Sequence, residues 1–272
     1  MSRANEHHVE EGGRLDEPCA RRREEISEAI RRAGGLNSNP VAYSAEEDRL
    51  WSTMVSKLNA IHPRIASSRY LQAKERLPLP ATHTPGIDDV GRRLHSSTGF
   101  RLLPVDGLTR VGDFYGRFAD DVFSTALFLR CPSRPHYSPE PDMLHELVGH
   151  VVMLSDPLFA DLYRLFGEAT NNATSAQELQ AISQVFWFTM ETGLVQEDGR
   201  TKAYGAALLS SSGELAKIDD CPVEKFSIQK MIEAEYDIST YQGKLFAAQS
   251  VNEMASEVRS FLTGVGNRYS LG

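Results

Sequence analysis

The chain has 272 residues, with 29 lysines and arginines against 37 aspartates and glutamates and a formal net charge of −8 at pH 7. That length allows one large domain or two small ones with ample core, and the acidic balance argues against a nucleic-acid partner, which calls for a basic face. No run approaches the roughly 20 apolar residues of a spanning helix, and the N-terminal stretch MSRANEHHVEEGGRLDEP has no apolar signal core. The expectation is therefore a cytoplasmic protein with no membrane partner. Cys19, Cys131 and Cys221 are odd in number and widely spaced, which suits neither a disulfide framework nor a Cys-x-x-Cys knuckle, so reduced thiols are expected.

In chain order, residues 1–42 read as a polar, mobile extension with one short amphipathic helix in ARRREEISEAIRR. The folded domain is expected over 43–272. Ser44 and Glu47 make a capping box, and Leu50, Trp51, Met54, Leu58 and Ile61 then repeat at helical spacing until Pro63 ends the pattern. Ala66 to Leu77 predicts a weaker helix, PLPATHTPG a connection, and Ile87, Val90 and Leu94 another helix. Phe100 to Val105 predicts a short strand, Gly107 to Phe114 a loop, and Phe118 to Leu129 an apolar segment.

Ser155-Asp156-Pro157 caps a helix that turns Leu158, Phe159, Leu162, Leu165 and Phe166 inward. Ser175 and Glu178 form a second capping box, opening a helix on which Gln180, Gln184, Trp187 and Glu191 share a face. Asp198-Gly199 signals a hairpin, the small residues of KAYGAALLSSSGEL suit close approach, and Val251 to about Leu262 is the last helix. The fold class is mainly α, a single catalytic domain with a few short strands and hairpins.

The chemistry gathers in PEPDMLHELVGH, residues 139–150, where a proline-rich segment turns into a helical pattern. The spacing is His-Glu-x-x-x-His, not the His-Glu-x-x-His of zinc hydrolases. At about 100° per residue, five steps set two histidines roughly 140° apart on a regular helix. His145 and His150 share a metal only if His145 sits at the helix entrance or the turn is distorted, and Gly149 makes local adjustment easier. Two imidazoles and one carboxylate with open positions are the arrangement of non-haem Fe(II) oxygenases. Spacing alone leaves the carboxylate open among Glu191, Glu140, Asp142, Glu146 and Glu168.

The blocks YSPEPDMLHELVGHVVMLSDPLFA, WFTMETGL and KAYGAALLSSSGEL, with TGFRLLPVDGL and GDF, resemble the catalytic domain of the pterin-dependent aromatic amino acid hydroxylases, closest to the phenylalanine hydroxylase branch. The resemblance runs from about Trp51 to Leu262. It implies one Fe(II) held by His145, His150 and Glu191, with a tetrahydropterin as reductant and O2 as co-substrate. It implies a pterin site over Gly107, Leu108, Thr109, Val111 and Phe114, whose ring can stack on the bicycle, together with Phe186. Glu146 is implied as the acid that manages protons beside the pterin.

For the amino acid substrate, the resemblance implies Arg130 on the carboxylate, supported by Asp142. Ser138, Ser210, Ser211 and Glu214 stand near the substrate or a ligand histidine, and Pro139, Pro141 and Trp187 stand around the ring. Trp187 favours phenylalanine, with tryptophan or a modified phenylalanine as alternatives. The sequence departs from the branch at Ser124 (histidine there), Phe186 (tyrosine), Thr192 (phenylalanine) and Ala207 (glycine). The first two remove contacts to the pterin. The last two reshape the pocket, so the product is expected as tyrosine or meta-tyrosine. The resemblance is to short bacterial members, which implies a monomer.

Overall fold

The folded part begins well before residue 43, on the helix expected in ARRREEISEAIRR. The computed structural model describes residues 16–107, 109–133, 135, 140–237 and 242–266. Helix α1 (Glu17–Ala33) has Pro18 in its first turn and buries Ile26 and Ile30 in the core. Arg22 pairs with Glu47 at 2.9 Å, and Arg23 lies over the Phe128 ring at 3.9 Å while pairing with Glu140 at 2.5 Å. Over residues 17–33 the expected mobile extension is thus a docked helix, because its two apolar positions share one face. Cys19 and Cys131 form a disulfide across 112 residues of chain, which corrects the expectation of reduced thiols. The link is tertiary, created by docking of α1, and no local spacing announces it. Cys221 is free.

Helix α2 (Ala45–Ile65) opens on the complete Ser44–Glu47 capping box. It continues through Pro63 for two more residues. Pro63 is exposed, so the hydrogen bond it cannot donate is lost on the water-facing side, where a carbonyl can bond solvent. Helices α3 (Ser68–Arg76) and α4 (Ile87–Thr98) follow, the latter ending on Gly99 in the left-handed region, φ 87°.

Strand β1 (Arg101–Val105) pairs in parallel with β2 (Val122–Ala126). Between them the expected loop becomes the short helix α5 (Val111–Gly116), anchored by buried Tyr115, whose ring sits 4.6 Å from Phe186. Packing of that ring outweighs the weak local propensity of Gly112.

After a π turn at His145–Val151 come α6 (Val152–Leu154) and α7 (Pro157–Asn172), capped by Asp156. Helix α8 (Ala176–Phe186) has half a capping box. The Ser175 side chain accepts from Glu178 N–H, but the Glu178 carboxylate accepts from Thr174. A second π turn, Trp187–Glu191, leads into β3 (Leu194–Glu197) and β4 (Arg200–Ala203), joined through Asp198 and Gly199, both at positive φ. The remaining elements are α9 (Ala206–Ser210), α10 (Ser212–Lys217), β5 (Val223–Lys225), α11 (Ile228–Glu233), β6 (Leu245–Ala248) and α12 (Val251–Thr263). The second sheet runs β4-β3-β6-β5, antiparallel only within the hairpin.

One hydrophobic cluster joins residues of helices α1 to α4 to those of α7, α8, α12 and both sheets. No described helix is long and apolar enough to cross a membrane.

Candidate active site

Both histidines of the central motif lie on the first π turn, and the geometry explains their five-residue spacing. In an i→i+5 helix the residue five positions on returns over the first, so His150 comes back above His145. Their Nε2 atoms stand 3.0 Å apart. Gly149 is required for a different reason from the one expected. A Cβ there would lie 2.8 Å from the Cβ of Ala206, so the glycine lets α9 pack directly on the turn.

The second π turn delivers Glu191. Its carboxylate oxygens lie 3.2 Å from His150 Nε2 and 3.6 Å from His145 Nε2. Backbone contact fixes this turn too, since a Cβ on Gly205 would fall 2.4 Å from the Glu191 carbonyl oxygen.

Geometry also separates the competing carboxylates. Glu140 is paired with Arg23, Asp142 with Arg130, and Glu168 is exposed on α7. Glu146 stays close, with a ligand atom within 4.8 Å of those of both histidines.

The outer ring nitrogens are both held by hydroxyls. His145 Nδ1 lies 3.0 Å from Ser210 Oγ, and that hydroxyl donates to the Ala206 carbonyl at 2.8 Å. His145 Nδ1–H therefore donates to Ser210, which leaves Nε2 with a free lone pair. His150 Nδ1 lies 2.6 Å from Tyr163 Oη on α7. Tyr163 was missed at the sequence level. Its signal was a tyrosine on the buried face of α7, between Phe159 and Phe166, where the hydroxyl must find a partner.

Burial shapes the electrostatics. It pushes the His145 pKa down to about 4, keeping the ring neutral as a ligand must be. Burial pushes the Glu191 carboxyl up, but the His150 and His145 rings oppose this strongly enough to bring it below its ordinary value. Burial, with the Glu191 charge, raises Glu146 well above the ordinary carboxylate range. One oxygen each of Glu191 and Glu146 is buried without a hydrogen-bond partner. Two imidazole nitrogens and a carboxylate with an unused oxygen fit a divalent metal of the iron type.

A second anchor adjoins this cluster. Asp142 is fully buried and receives Arg130 Nε and Nη2 at 2.8 Å each, the Arg130 N–H at 2.8 Å and the His145 N–H at 3.1 Å. Burial raises the Asp142 carboxyl, yet the Arg130 charge and these donors hold it below its usual value. Among the described residues, Arg130 Nη1 makes only a 3.4 Å contact, to the Pro135 carbonyl.

The remaining expected residues fall into three groups. Phe114 is half-buried, its ring 5.1 Å from Phe118 and 5.7 Å from Phe123, while Gly107, Thr109 and Val111 lead into α5 on the solvent side. Phe186 is buried against His150, ring centroids 6.1 Å apart. Trp187 stacks on Tyr236 at 4.7 Å and donates to Gln242, Thr192 is fully buried and bonds the Trp187 carbonyl, and Ala207 is half-buried. Ser211 caps α10, and Glu214 on that helix has a buried oxygen without a partner. Leu108, Ser138 and Pro139 lie outside the described residues.

The model of the biopterin-dependent aromatic amino acid hydroxylases matches residues 2–272. A phenylalanine 3-hydroxylase of Streptomyces coeruleorubidus is 42% identical over 221 residues, 81% of this chain and 79% of its own. A tyrosine 3-monooxygenase of Caenorhabditis briggsae is 36% identical over 94% of this chain, which spans about half (50%) of that relative's length. The crystal structure of Chromobacterium violaceum phenylalanine hydroxylase with iron(III) and 7,8-dihydrobiopterin superposes with a TM-score of 0.76 at 29% identity, covering 81% of each chain. The chain belongs to the biopterin-dependent aromatic amino acid hydroxylase family.

Proposed function

We propose that this chain is an iron- and tetrahydropterin-dependent monooxygenase that uses O2 to hydroxylate the ring of L-phenylalanine, chiefly at the meta carbon. The observation that carries the reading is the convergence of His145 Nε2, His150 Nε2 and the Glu191 carboxylate on one point beside the Arg130–Asp142 pair. Iron and the reduced pterin supply the oxygen-activating chemistry when bound.

His145, His150 and Glu191 would hold the metal. Phe114 offers a ring face to the pterin. Glu146 places a buried carboxyl next to the same donors, suited to hold a proton there. Arg130, fixed through Nε and Nη2, keeps Nη1 for the substrate carboxylate. Thr192 and Ala207, smaller and larger than the usual residues, turn the ring relative to the iron. Changes of that size are worth about 1–3 kcal/mol. The name of the Streptomyces relative supports the 3-position.

The resemblance to short bacterial enzymes also supports a monomer in the cytoplasm, which light scattering and fractionation test. The Cys19–Cys131 disulfide weighs against a reducing compartment.

The test of function is anaerobic loading with Fe(II), then O2, a tetrahydropterin and each aromatic amino acid, with product positions read by NMR. The expected product is meta-tyrosine from phenylalanine. Para-tyrosine alone overturns the regiochemistry, and turnover without O2 or pterin overturns the reaction class.

A further inference from the structure

The second imidazole of the cluster is held by a residue to which nothing above assigns a role. Tyr163 Oη lies 2.6 Å from His150 Nδ1, and both residues are 1% exposed. The phenol is walled by Phe100, Phe118, Phe123 and Phe186, with ring centroids 5.1–6.5 Å from its own. Water does not compete for Nδ1 in such a pocket. Tyr163 reaches it from α7, on an element separate from both π turns.

The direction of this hydrogen bond follows from the ligand role of the ring. A neutral imidazole carries one ring proton, and Nε2 must keep its lone pair for a metal. Nδ1 then carries the proton and donates, and the phenol oxygen accepts. An acceptor on Nδ1–H fixes the tautomer and ring orientation and makes Nε2 a stronger donor. Ser210 does the same for His145 from α9, so the two imidazoles are tuned independently.

We propose that Tyr163 is a positioning residue for the iron, acting through His150 to raise metal affinity and to favour the ferric state, a proposal that rests on the iron-enzyme reading above. Without the phenol oxygen, a buried Nδ1–H faces only aromatic rings. The ring then gains by moving its proton to Nε2, in competition with the metal. A less basic ligand also stabilises Fe(III) less.

The test is Tyr163→Phe, which keeps the ring and removes the hydroxyl, beside site-specific 3-fluorotyrosine at the same position, which keeps the hydrogen bond but weakens its acceptor. Anaerobic competition with a ferrous chelator gives Fe(II) affinity, voltammetry gives the Fe(III)/Fe(II) midpoint, and thermal melts of the metal-free proteins give stability. The expected result for Tyr163→Phe is Fe(II) bound about 10- to 100-fold more weakly with a more positive midpoint, and for fluorotyrosine a smaller shift of the same sign. Should Tyr163→Phe not fold, the sign of the fluorotyrosine shift decides. Wild-type affinity and midpoint in the variants overturn the proposal, even where the melting temperature falls, because that marks packing alone. Wild-type protein that binds no Fe(II) overturns the iron reading itself.

Discussion

Arg130 and Asp142 form a buried, two-pronged ion pair, Nε and Nη2 each 2.8 Å from a different carboxylate oxygen, and the same carboxylate accepts the His145 N–H. One acid thus fixes both the guanidinium and the entry to the π turn that carries both histidines. Arg130→Lys cannot reproduce the fork. It is expected to raise KM for phenylalanine about tenfold or more, the loss of one charged hydrogen bond, with kcat changed much less. Asp142→Ala strands a buried cation and is expected to cost about 3–5 kcal/mol of stability, read by urea unfolding.

Much of this arrangement was legible in the sequence. Capping residues announced α2 and α7, and Asp198-Gly199 announced the hairpin, because these signals are local. The histidine pair was legible as a contradiction, five residues apart where a regular helix demands four. The structure resolves it with a π turn, on which α9 packs through the close approach of Ala206 to Gly149, residues 57 positions apart in the chain. The docking of α1, its disulfide and the approach of Tyr163 to His150 are likewise tertiary. No periodicity in the chain records them.

Ligand geometry gives a prediction on metal removal. A metal that binds only the folded chain stabilises it by mass action, about 2.7 kcal/mol at a hundredfold excess over Kd. Chelation is expected to lower the melting temperature of the wild type. Glu191→Gln keeps the shape but loses the anionic ligand, so its melting temperature should not respond to Fe(II). A Glu191→Gln protein stabilised by Fe(II) as strongly as wild type would rule out Glu191 as a ligand.

The Cys19–Cys131 link ties α1 to the residue that follows Arg130 and closes a loop 112 residues apart in sequence. A cross-link over such a span typically contributes about 2–4 kcal/mol. Replacing both cysteines by serine is expected to lower stability by that amount and to remove its sensitivity to dithiothreitol. Loss of the tether next to Arg130 should raise KM for the amino acid more than it lowers kcat. Equal melts for the double variant and the non-reduced wild type would show that the bridge does not form in solution.

Glu214 supplies a pH signature. Burial raises its pKa from 4.5 to about 7, with only the Gln242 N–H opposing. The unfolded chain gives up this proton near pH 4.5 and the folded chain near 7, so the group lowers stability as pH rises through that window. The full effect is of the order of 3 kcal/mol. Glu214→Gln is expected to be more stable than wild type above pH 7 and to converge with it below about pH 4.5. Parallel stability curves across that range would show that the carboxyl titrates normally.

Thr192 carries the regiochemical prediction, and two substitutions separate its two features. Its Oγ1 donates to the Trp187 carbonyl at 2.8 Å, while its side chain, next to Glu191 in the chain, is smaller than the phenylalanine usual in the branch. Thr192→Val removes the hydrogen bond at nearly constant shape, and Thr192→Phe removes both. If volume directs the substrate ring, Thr192→Val keeps the meta product and loses some stability, whereas Thr192→Phe shifts the meta-to-para ratio toward para by about tenfold or more. If both variants shift the ratio alike, the hydrogen bond that shapes the π turn is the determinant. An unchanged ratio in both would move the determinant away from position 192, leaving Ala207 as the next residue to test.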